Sequence, residues 1–203
     1  IKFLSGTGAQ QQMLRDAYAT IAQTANLNFV YVTTGDSEIR ARFDPGSAWS
    51  YIGNDTRYVG QNSATINVGF GGPSTYLHEA LHSVGLLHGH QLAGMIDWIR
   101  TNVIADLSGA PNFWNIATIE SNVLNYHNPA TTTNNGPDPF GVMMYPVPAR
   151  WNQAGIAYTP GQTMSAQEIA FLKEKYPGRT NPTEPPTGTF VLTLQQRKDI
   201  LTR

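Results

Sequence analysis

The sequence has 203 residues, 40% of them hydrophobic, a length and composition that suit one domain with a hydrophobic core and a short tail. Only 13% of the residues are charged and the formal net charge is −1, so the chain lacks the basic surface that nucleic acid or an anionic membrane would bind. It contains no Cys, which excludes disulfides, thiolate metal ligands and a Cys nucleophile, and no run of 18 apolar residues that would predict a membrane span.

The first half of the chain predicts one helix and several short strands. Apolar residues recur at three- and four-residue spacing over residues 9–25, which is the period of an amphipathic helix. Short runs with alternating apolar residues, bounded by turn residues, predict strands at residues 2–4, 28–33, 37–43 and 64–70. The strand at residues 2–4 is predicted to lie at an edge of the sheet.

The second half of the chain predicts mainly helices and loops. Helices are predicted within residues 74–84, 95–107 and 161–176. Ser165 and Glu168 form a capping box for the last of these, and Pro177 follows its end. Residues 128–139 are polar and rich in turn formers, which predicts a loop.

The domain organisation follows from a Pro-rich stretch near the end of the chain. Residues 178–189 read GRTNPTEPPTGT, a composition that is typical of a linker. We therefore expect one domain over residues 1–177, followed by a linker and tail over residues 178–203. The apolar start of the chain is too short for a signal peptide.

A metal-binding motif lies in the predicted helix at residues 74–84. His78 and His82 are four residues apart, which places both imidazoles on one helix face where they can meet one ion. Glu79 follows His78 and points to the adjoining side, where it can accept a proton from a water molecule on the metal. This arrangement predicts a metal site with its own general base.

A third imidazole follows after a glycine. Gly85 can adopt the left-handed conformation that ends a helix, and the chain can then return His88 toward the metal. Three protein ligands leave the fourth tetrahedral position for water, which a catalytic zinc site requires. We therefore predict zinc bound by His78, His82 and His88.

The run HEALHSVGLLH at residues 78–88 matches HExxHxxGxxH, and the chain thereby resembles the metzincin peptidases. The resemblance implies an α+β catalytic domain with a mixed, twisted sheet and the active-site helix in an N-terminal subdomain of about residues 1–88. A mostly helical or irregular C-terminal subdomain would cover about residues 89–177. It also implies a zinc-dependent endopeptidase that uses Glu79 as the base.

The metzincin resemblance also implies a methionine turn beneath the zinc, and residues 141–146 (GVMMYP) supply it in two alignments. Against the S-x-M-x-Y turn of astacins and serralysins, Met143 is the floor of the site and Tyr145 is the residue that moves to or from the zinc. Against the matrixin turn, Met144 is the floor. Both alignments stay open at this point.

Within the metzincins the chain is most similar to astacins, with a matrixin-like enzyme as the rival. Residues 47–53 (SAWSYIG) resemble the astacin stretch before the active-site helix, and Asp97 and residues 112–113 (NF) resemble later astacin positions. Gly89 departs from the family pattern, because astacins have Glu at this position. His90, two residues after the third ligand, is expected to be an exposed loop residue.

The remaining expectations concern ions, substrate and location. The carboxylates of Asp36, Glu38, Asp44 and Asp55 are candidate Ca²⁺ ligands by resemblance to some metzincins, although solvated loop carboxylates are the commoner case. The expected partner is a protein or peptide substrate in extended form, paired with the strand at residues 64–70. Secretion is expected from the resemblance alone, and the oligomeric state stays open. The alternative function is an inactive zinc module that binds peptide or glycan.

Overall fold

The chain packs as two compact units. The structure, a computed structural model, describes residues 1–179. The first unit comprises Ile1–Leu87 together with the described residues from Gln162 onward, and the second comprises His88–Gly161. The predicted linker and tail lie outside the described residues apart from Gly178 and Arg179, and the division into domains stays a prediction.

A small mixed sheet forms one layer of the first unit. Its strands are β1 (Lys2–Phe3), β2 (Arg40–Arg42), β3 (Ala48–Ser50) and β4 (Ile66–Val68). Their spatial order is β1-β2-β4-β3, in which β1, β2 and β4 run parallel and β3 is antiparallel to β4. The predicted mixed sheet of an α+β fold is confirmed, with β1 at one edge and β3 at the other.

Two expectations about the strands are wrong. Residues 28–33 form no strand. Their backbone pairs with Ile1, since the Ile1 amino group donates to the Val30 carbonyl at 2.6 Å and the Val32 N–H donates to the Ile1 carbonyl at 2.9 Å, but the pairing does not continue as a ladder. The side chains of Phe29 and Tyr31 pack against the first helix: Phe29 lies 4.6 Å from the Tyr18 ring, and Arg15 lies 4.0 Å above Tyr31. The strand predicted at residues 64–70 is β4, which is paired on both sides and has no free edge. The free edge beside it belongs to β3.

Three α-helices pack in the described part of the first unit. They are α1 (Gly8–Thr24), α2 (Pro73–Ser83) and α5 (Ala166–Lys175). The apolar stripe of α1 supplies core residues that are fully buried, namely Leu14, Tyr18 and Ile21. The capping box of Ser165 and Glu168 forms at the start of α5 as predicted. Because α1 contacts both α2 and α5, it links the motif helix to the last helix of the described chain.

The second unit is built from short helices around its own core. Its α-helices are α3 (Arg100–Leu107) and α4 (Ile116–Ile119). A π-helical turn, Glu120–Leu124, continues α4. The core of this unit contains Ile96, Trp98, Val103, Leu107, Ile119, Val123, Leu124, Met144, Val147 and Trp151. The helix predicted over residues 95–107 begins only at Arg100, because residues 95–99 insert their apolar side chains into this core without helical hydrogen bonds.

Arg40 is a buried cation that organises the loops around β2. Its side chain is 0% exposed, and its guanidinium donates to the carbonyls of Ser63 at 2.8 Å, Ser37 at 2.5 Å and Val59 at 2.9 Å. Burial lowers its pKa. A guanidinium has five donors in a planar fork, which lets one side chain bind several carbonyls at once.

Arg40→Lys should therefore destabilise the protein by about 3 kcal/mol, because an ammonium cannot reach all of these carbonyls and leaves some of them buried and unpaired. Urea unfolding measures the change. Arg42→Lys is the matched control on the same strand. The Arg42 side chain is 46% exposed and lies 3.8 Å from Asp44, so its replacement should change stability by less than about 0.5 kcal/mol. Equal effects at the two positions would contradict the role assigned to Arg40.

Over residues 1–179, no helix combines the length and apolar character that a bilayer crossing needs.

Candidate metal centre

The motif helix α2 is held rigidly in the first unit. Pro73 occupies its first turn, where a missing N–H costs nothing, and every residue from Tyr76 to Ser83 is buried. Near its end, the Tyr18 hydroxyl is hydrogen-bonded to Ser83 Oγ at 2.9 Å, and the Tyr176 hydroxyl donates to the Val84 carbonyl at 2.7 Å. Side chains from α1 and from the end of α5 thus fix the last turn of α2.

A glycine turn ends α2 as the sequence predicts. Gly85 has a φ of 100°, in the left-handed region that favours glycine. The Leu86 N–H donates to the Leu81 carbonyl at 3.1 Å, and the Gly85 N–H donates to the His82 carbonyl at 2.8 Å. These two bonds are the pattern of a Schellman motif. The chain therefore leaves the helix in a defined direction three residues before His88.

The three histidines of the motif come together. One ring nitrogen from each of His78, His82 and His88 lies within 4.8 Å of the others, close enough to hold one metal ion. His82 Nδ1 lies 2.7 Å from the Leu86 carbonyl, and His88 Nδ1 lies 3.2 Å from Gln91 Oε1. Because each of these Nδ1 atoms faces an acceptor, it carries the proton, and Nε2 is left as the electron-pair donor.

Glu79 adds a buried carboxylate to α2. It is 6% exposed, and its Oε2 atom is buried with no hydrogen-bond partner. Burial raises the pKa of Glu79 to about 8. A nearby cation would offset this desolvation and favour the ionised form. Three imidazoles and a buried carboxylate with one unpaired oxygen therefore fit a zinc ion with a water molecule beside it.

Glu79 should give the metal-free protein a pH-dependent stability. Its pKa is raised in the folded state relative to about 4.3 for an unfolded chain, so the folded state holds the proton more tightly. The free energy of unfolding should consequently fall by a few kcal/mol as pH rises from about 4.5 to about 8. Urea unfolding of the metal-free protein and of Glu79→Gln isolates this contribution. Identical pH profiles for the two proteins would contradict it.

The methionine turn predicted at residues 141–146 is tied to the segment after His88. The Gly89 N–H donates to the Met143 carbonyl at 3.0 Å. Met144 packs into the core of the second unit, whereas Met143 is buried but lies outside that core cluster. Met143 stays the expected floor residue, with Met144 as the alternative. The Tyr145 ring lies 4.4 Å from the His88 ring, measured between centroids.

His90 is not the exposed loop residue that the sequence predicts. It is 0% exposed, because the short helical turn Gly89–Gln91 directs its side chain into the second unit. Its ring lies between the Asn122 carbonyl and the Tyr145 backbone. Burial of a polar ring with two fixed partners could not be inferred from its position beside the motif.

Gln91 is a residue of the site that sequence reasoning missed. It is 3% exposed, and its Nε2 atom donates to the carbonyls of Ser121 at 2.8 Å and Asn125 at 2.9 Å. These two bonds direct Oε1 toward His88. The three-residue spacing from His88 was a usable signal, since an outer partner commonly orients a histidine ligand.

The candidate calcium ligands do not form a cluster. Within residues 1–179, the one group of three or more possible metal-binding side chains is that of the three histidines. Asp44 lies 3.8 Å from Arg42 instead. Calcium binding stays a prediction without support from this geometry.

Three comparisons with known proteins bear on the fold and the motif. The family model for the Astacin peptidase family matches residues 3–123, which is more than half of the chain. No curated protein sequence matches the chain at a significant level. Among solved structures, one of myroilysin has a TM-score of 0.83 at 24% identity, covering 87% of this chain and 91% of that chain. High choriolytic enzyme 1, a hatching enzyme zinc-protease from the medaka fish Oryzias latipes, has a TM-score of 0.55 at 17% identity, covering 87% and 88%.

The structural likenesses concern the fold, and the family match extends from β1 through the motif to residue 123. That range contains the three-histidine group. The chain belongs to the astacin family of peptidases and is a zinc-dependent metalloendopeptidase.

Proposed function

We propose that this chain cleaves internal peptide bonds of extended protein substrates, with zinc held by His78, His82 and His88 and with Glu79 as the general base. The observation that carries the proposal is the convergence of three imidazole nitrogens within 4.8 Å of one another. Two of them belong to α2, which also bears the buried Glu79 carboxylate, and the third belongs to His88, just beyond the end of that helix. A structural zinc site would close its coordination with a fourth protein ligand. Among the His, Asp and Glu side chains of residues 1–179, none adds a fourth ligand to this group.

The protein's own residues set the geometry of the ligands. His78 and His82 project from one face of α2, and the Schellman turn at Gly85 directs the chain toward His88. Leu86 and Gln91 hold the Nδ1 protons of His82 and His88, so that both rings present Nε2. Zinc, when bound there, supplies Lewis-acid activation of a water molecule and of the scissile carbonyl.

Glu79 moves the proton in the proposed reaction. Its carboxylate accepts a proton from the attacking water and then passes it to the leaving amine. The buried environment that raises its pKa to about 8 in the metal-free protein also strengthens its basicity, and a bound cation brings the carboxylate back toward ionisation. Because burial raises the Glu79 pKa and a bound cation lowers it, the carboxylate can both accept and release a proton near neutral pH.

Tyr145 is the proposed hydrogen-bond donor to the developing oxyanion. The contact of its ring with the ring of His88, 4.4 Å between centroids, supports this role. A donor that acts only in the transition state lowers the barrier without tightening substrate binding.

Tyr145→Phe should lower kcat by about 100-fold and leave KM and zinc content nearly unchanged. Steady-state hydrolysis of a fluorogenic peptide measures both constants. Tyr158→Phe is the matched control in the same unit, since the backbone of Tyr158 pairs with Val147 and its ring packs on the core. An unchanged kcat for Tyr145→Phe would remove Tyr145 from the mechanism.

The free edge of β3 is the proposed docking strand for the peptide. Tyr51 donates to Thr65 and Gly69 donates to Ser47 across the β3–β4 pair, so the odd-numbered residues of this segment face β4. The backbone groups of Ala48 and Ser50 consequently point to the open edge, as alternation in an antiparallel pair requires. An extended peptide could add there as a further strand, whereas β4 has no such edge.

Cleavage of a mixed peptide library, with and without a zinc chelator, tests the proposed function. We expect internal cuts that vanish on chelation and return when zinc is added. Zinc-loaded protein that cleaves nothing would favour the inactive binding module. Export from the cell is proposed on the same basis as the activity, by likeness to the family, and detection of the protein in the culture medium of its source would test it.

A further inference from the structure

His90 is a buried imidazole for which the proposed chemistry has no use. It lies two residues after His88 in the turn Gly89–Gln91 and is fully buried in the second unit. A histidine in a core must satisfy both ring nitrogens, because an unpaired buried polar group is costly. The partners of those nitrogens therefore indicate what the residue does.

The two ring nitrogens of His90 have different partners. Nδ1 lies 3.2 Å from the backbone nitrogen of Tyr145, which donates its N–H. Nε2 lies 2.9 Å from the Asn122 carbonyl, which can only accept. The ring is therefore neutral with its proton on Nε2, and Nδ1 receives the Tyr145 N–H.

The ring also packs face to face with its neighbours. The centroids of His90 and Tyr145 are 4.6 Å apart with 28° between the ring planes, and those of His90 and His88 are 4.9 Å apart with 29°. His90 thus holds Tyr145 through its backbone and through its ring at once, while it also contacts a metal-binding histidine.

The residue before His90 brings the same two segments together. The Gly89 N–H donates to the Met143 carbonyl, and a Cβ atom at Gly89 would lie only 3.2 Å from the Met144 sulfur. A side chain at this position would press on the methionine turn. Gly89 therefore lets its segment lie close to the methionine turn, and the hydrogen bond from the Tyr145 N–H to His90 holds the two segments together.

We propose that His90 is a positioning residue for Tyr145: its Nδ1 atom receives the Tyr145 N–H and its ring stacks on the Tyr145 ring, which together set where the hydroxyl is presented. The inference rests on the proposed function, because it gives His90 its effect on catalysis through Tyr145. It differs from simple core packing, which would affect stability and leave the rate of the chemical step unchanged.

Two substitutions separate the hydrogen bond from the ring. His90→Phe keeps a stacking ring and removes the acceptor for Tyr145, whereas His90→Gln keeps an acceptor and a donor and removes the ring. On the zinc-loaded protein, we expect His90→Phe to lower kcat on the order of 10-fold or more with little change in KM, because small misplacements of a catalytic group are costly. We expect a smaller loss for His90→Gln, and unchanged zinc content in both variants.

A double-mutant cycle with Tyr145→Phe tests whether the effect passes through Tyr145. If it does, adding His90→Phe to Tyr145→Phe should change kcat by less than about twofold. The full loss persisting in the double variant would overturn the inference. So would a fall in zinc affinity by the same factor as kcat, since His90 would then act through His88.

Two measurements do not depend on catalysis. Amide hydrogen exchange at Tyr145 should be slow in the wild type and faster in His90→Phe, and unchanged exchange would overturn the inference. If Tyr145→Phe kept full activity, the proposed catalytic role of Tyr145 would be wrong. Amide exchange at Tyr145 would still show whether His90 holds the Tyr145 backbone in place. If His90→Phe did not fold, ¹⁵N chemical shifts of His90 in the wild type would still decide: a proton on Nδ1 would overturn the inference.

Discussion

Glu79→Gln should yield a folded, zinc-loaded protein with kcat lowered by about 10²- to 10⁴-fold, the usual contribution of a general base. Glutamine keeps the shape of the side chain but cannot accept the proton of the attacking water. The metal-free variant should lose no stability, because the replacement removes a carboxylate that is buried with one oxygen unpaired. Peptide hydrolysis, zinc content and urea unfolding on the same samples distinguish a lost base from a lost fold.

Glu174→Gln supplies the control for this substitution. Glu174 lies on α5 with its side chain 63% exposed, so its replacement should leave kcat, KM and zinc content as in the wild type. Hydrolysis by Glu79→Gln at a rate within a few-fold of the wild type would remove Glu79 as the base, although the zinc assignment would survive.

His88→Ala should weaken zinc binding by more than about 100-fold, since removing a partner that merely orients a ligand already costs 10- to 100-fold. Activity should vanish with the metal. The two imidazoles on α2 would remain, but both bind the ion from the same helix, and the ligand from the segment after α2 would be missing. Dialysis against a competing chelator, followed by measurement of zinc per chain, gives the affinity directly.

His127→Ala is the control for the loss of an imidazole near the site. The backbone N–H of His127 donates to the Gln91 carbonyl, its ring is hydrogen-bonded to the backbone of His88, and its imidazole lies outside the three-histidine group. It should keep zinc under conditions in which His88→Ala loses it. Full zinc occupancy in His88→Ala would overturn the ligand assignment. Adding His82→Ala to His88→Ala should have little further effect on activity, because the first substitution already removes the metal.

The parts of the molecule that the sequence predicts well are those determined by neighbours along the chain. The motif histidines, the Gly85 turn and the capping box of Ser165 and Glu168 all depend on spacings of three to ten residues. Such spacings translate directly into helix faces and helix ends. The sequence therefore predicts where the ligands of the zinc come from and how the last one turns back.

The parts that it predicts poorly depend on partners far along the chain. Residues 28–33 alternate like a strand, but Phe29 packs on α1 and the backbone hydrogen bonds of this segment to Ile1 do not continue as a ladder. The burial of His90 depends on Tyr145, 55 residues later, and on Asn122. The choice between Met143 and Met144 needs the core of the second unit. None of these partners can be read from a local pattern, since tertiary packing overrides propensity.

The hydrogen bond from Tyr176 to Val84 has a consequence for the order in which the protein assembles during synthesis. It joins residues 92 positions apart, and the unit that contains both is interrupted in the sequence by His88–Gly161. A ribosome releases the motif helix long before it makes α5, and contacts between such distant segments form late because closing long loops costs entropy. The helix that carries His78, Glu79 and His82 thus gains its final support only once residue 176 has emerged. The last turn of the motif helix therefore gains this hydrogen bond only after all of His88–Gly161 has been synthesised.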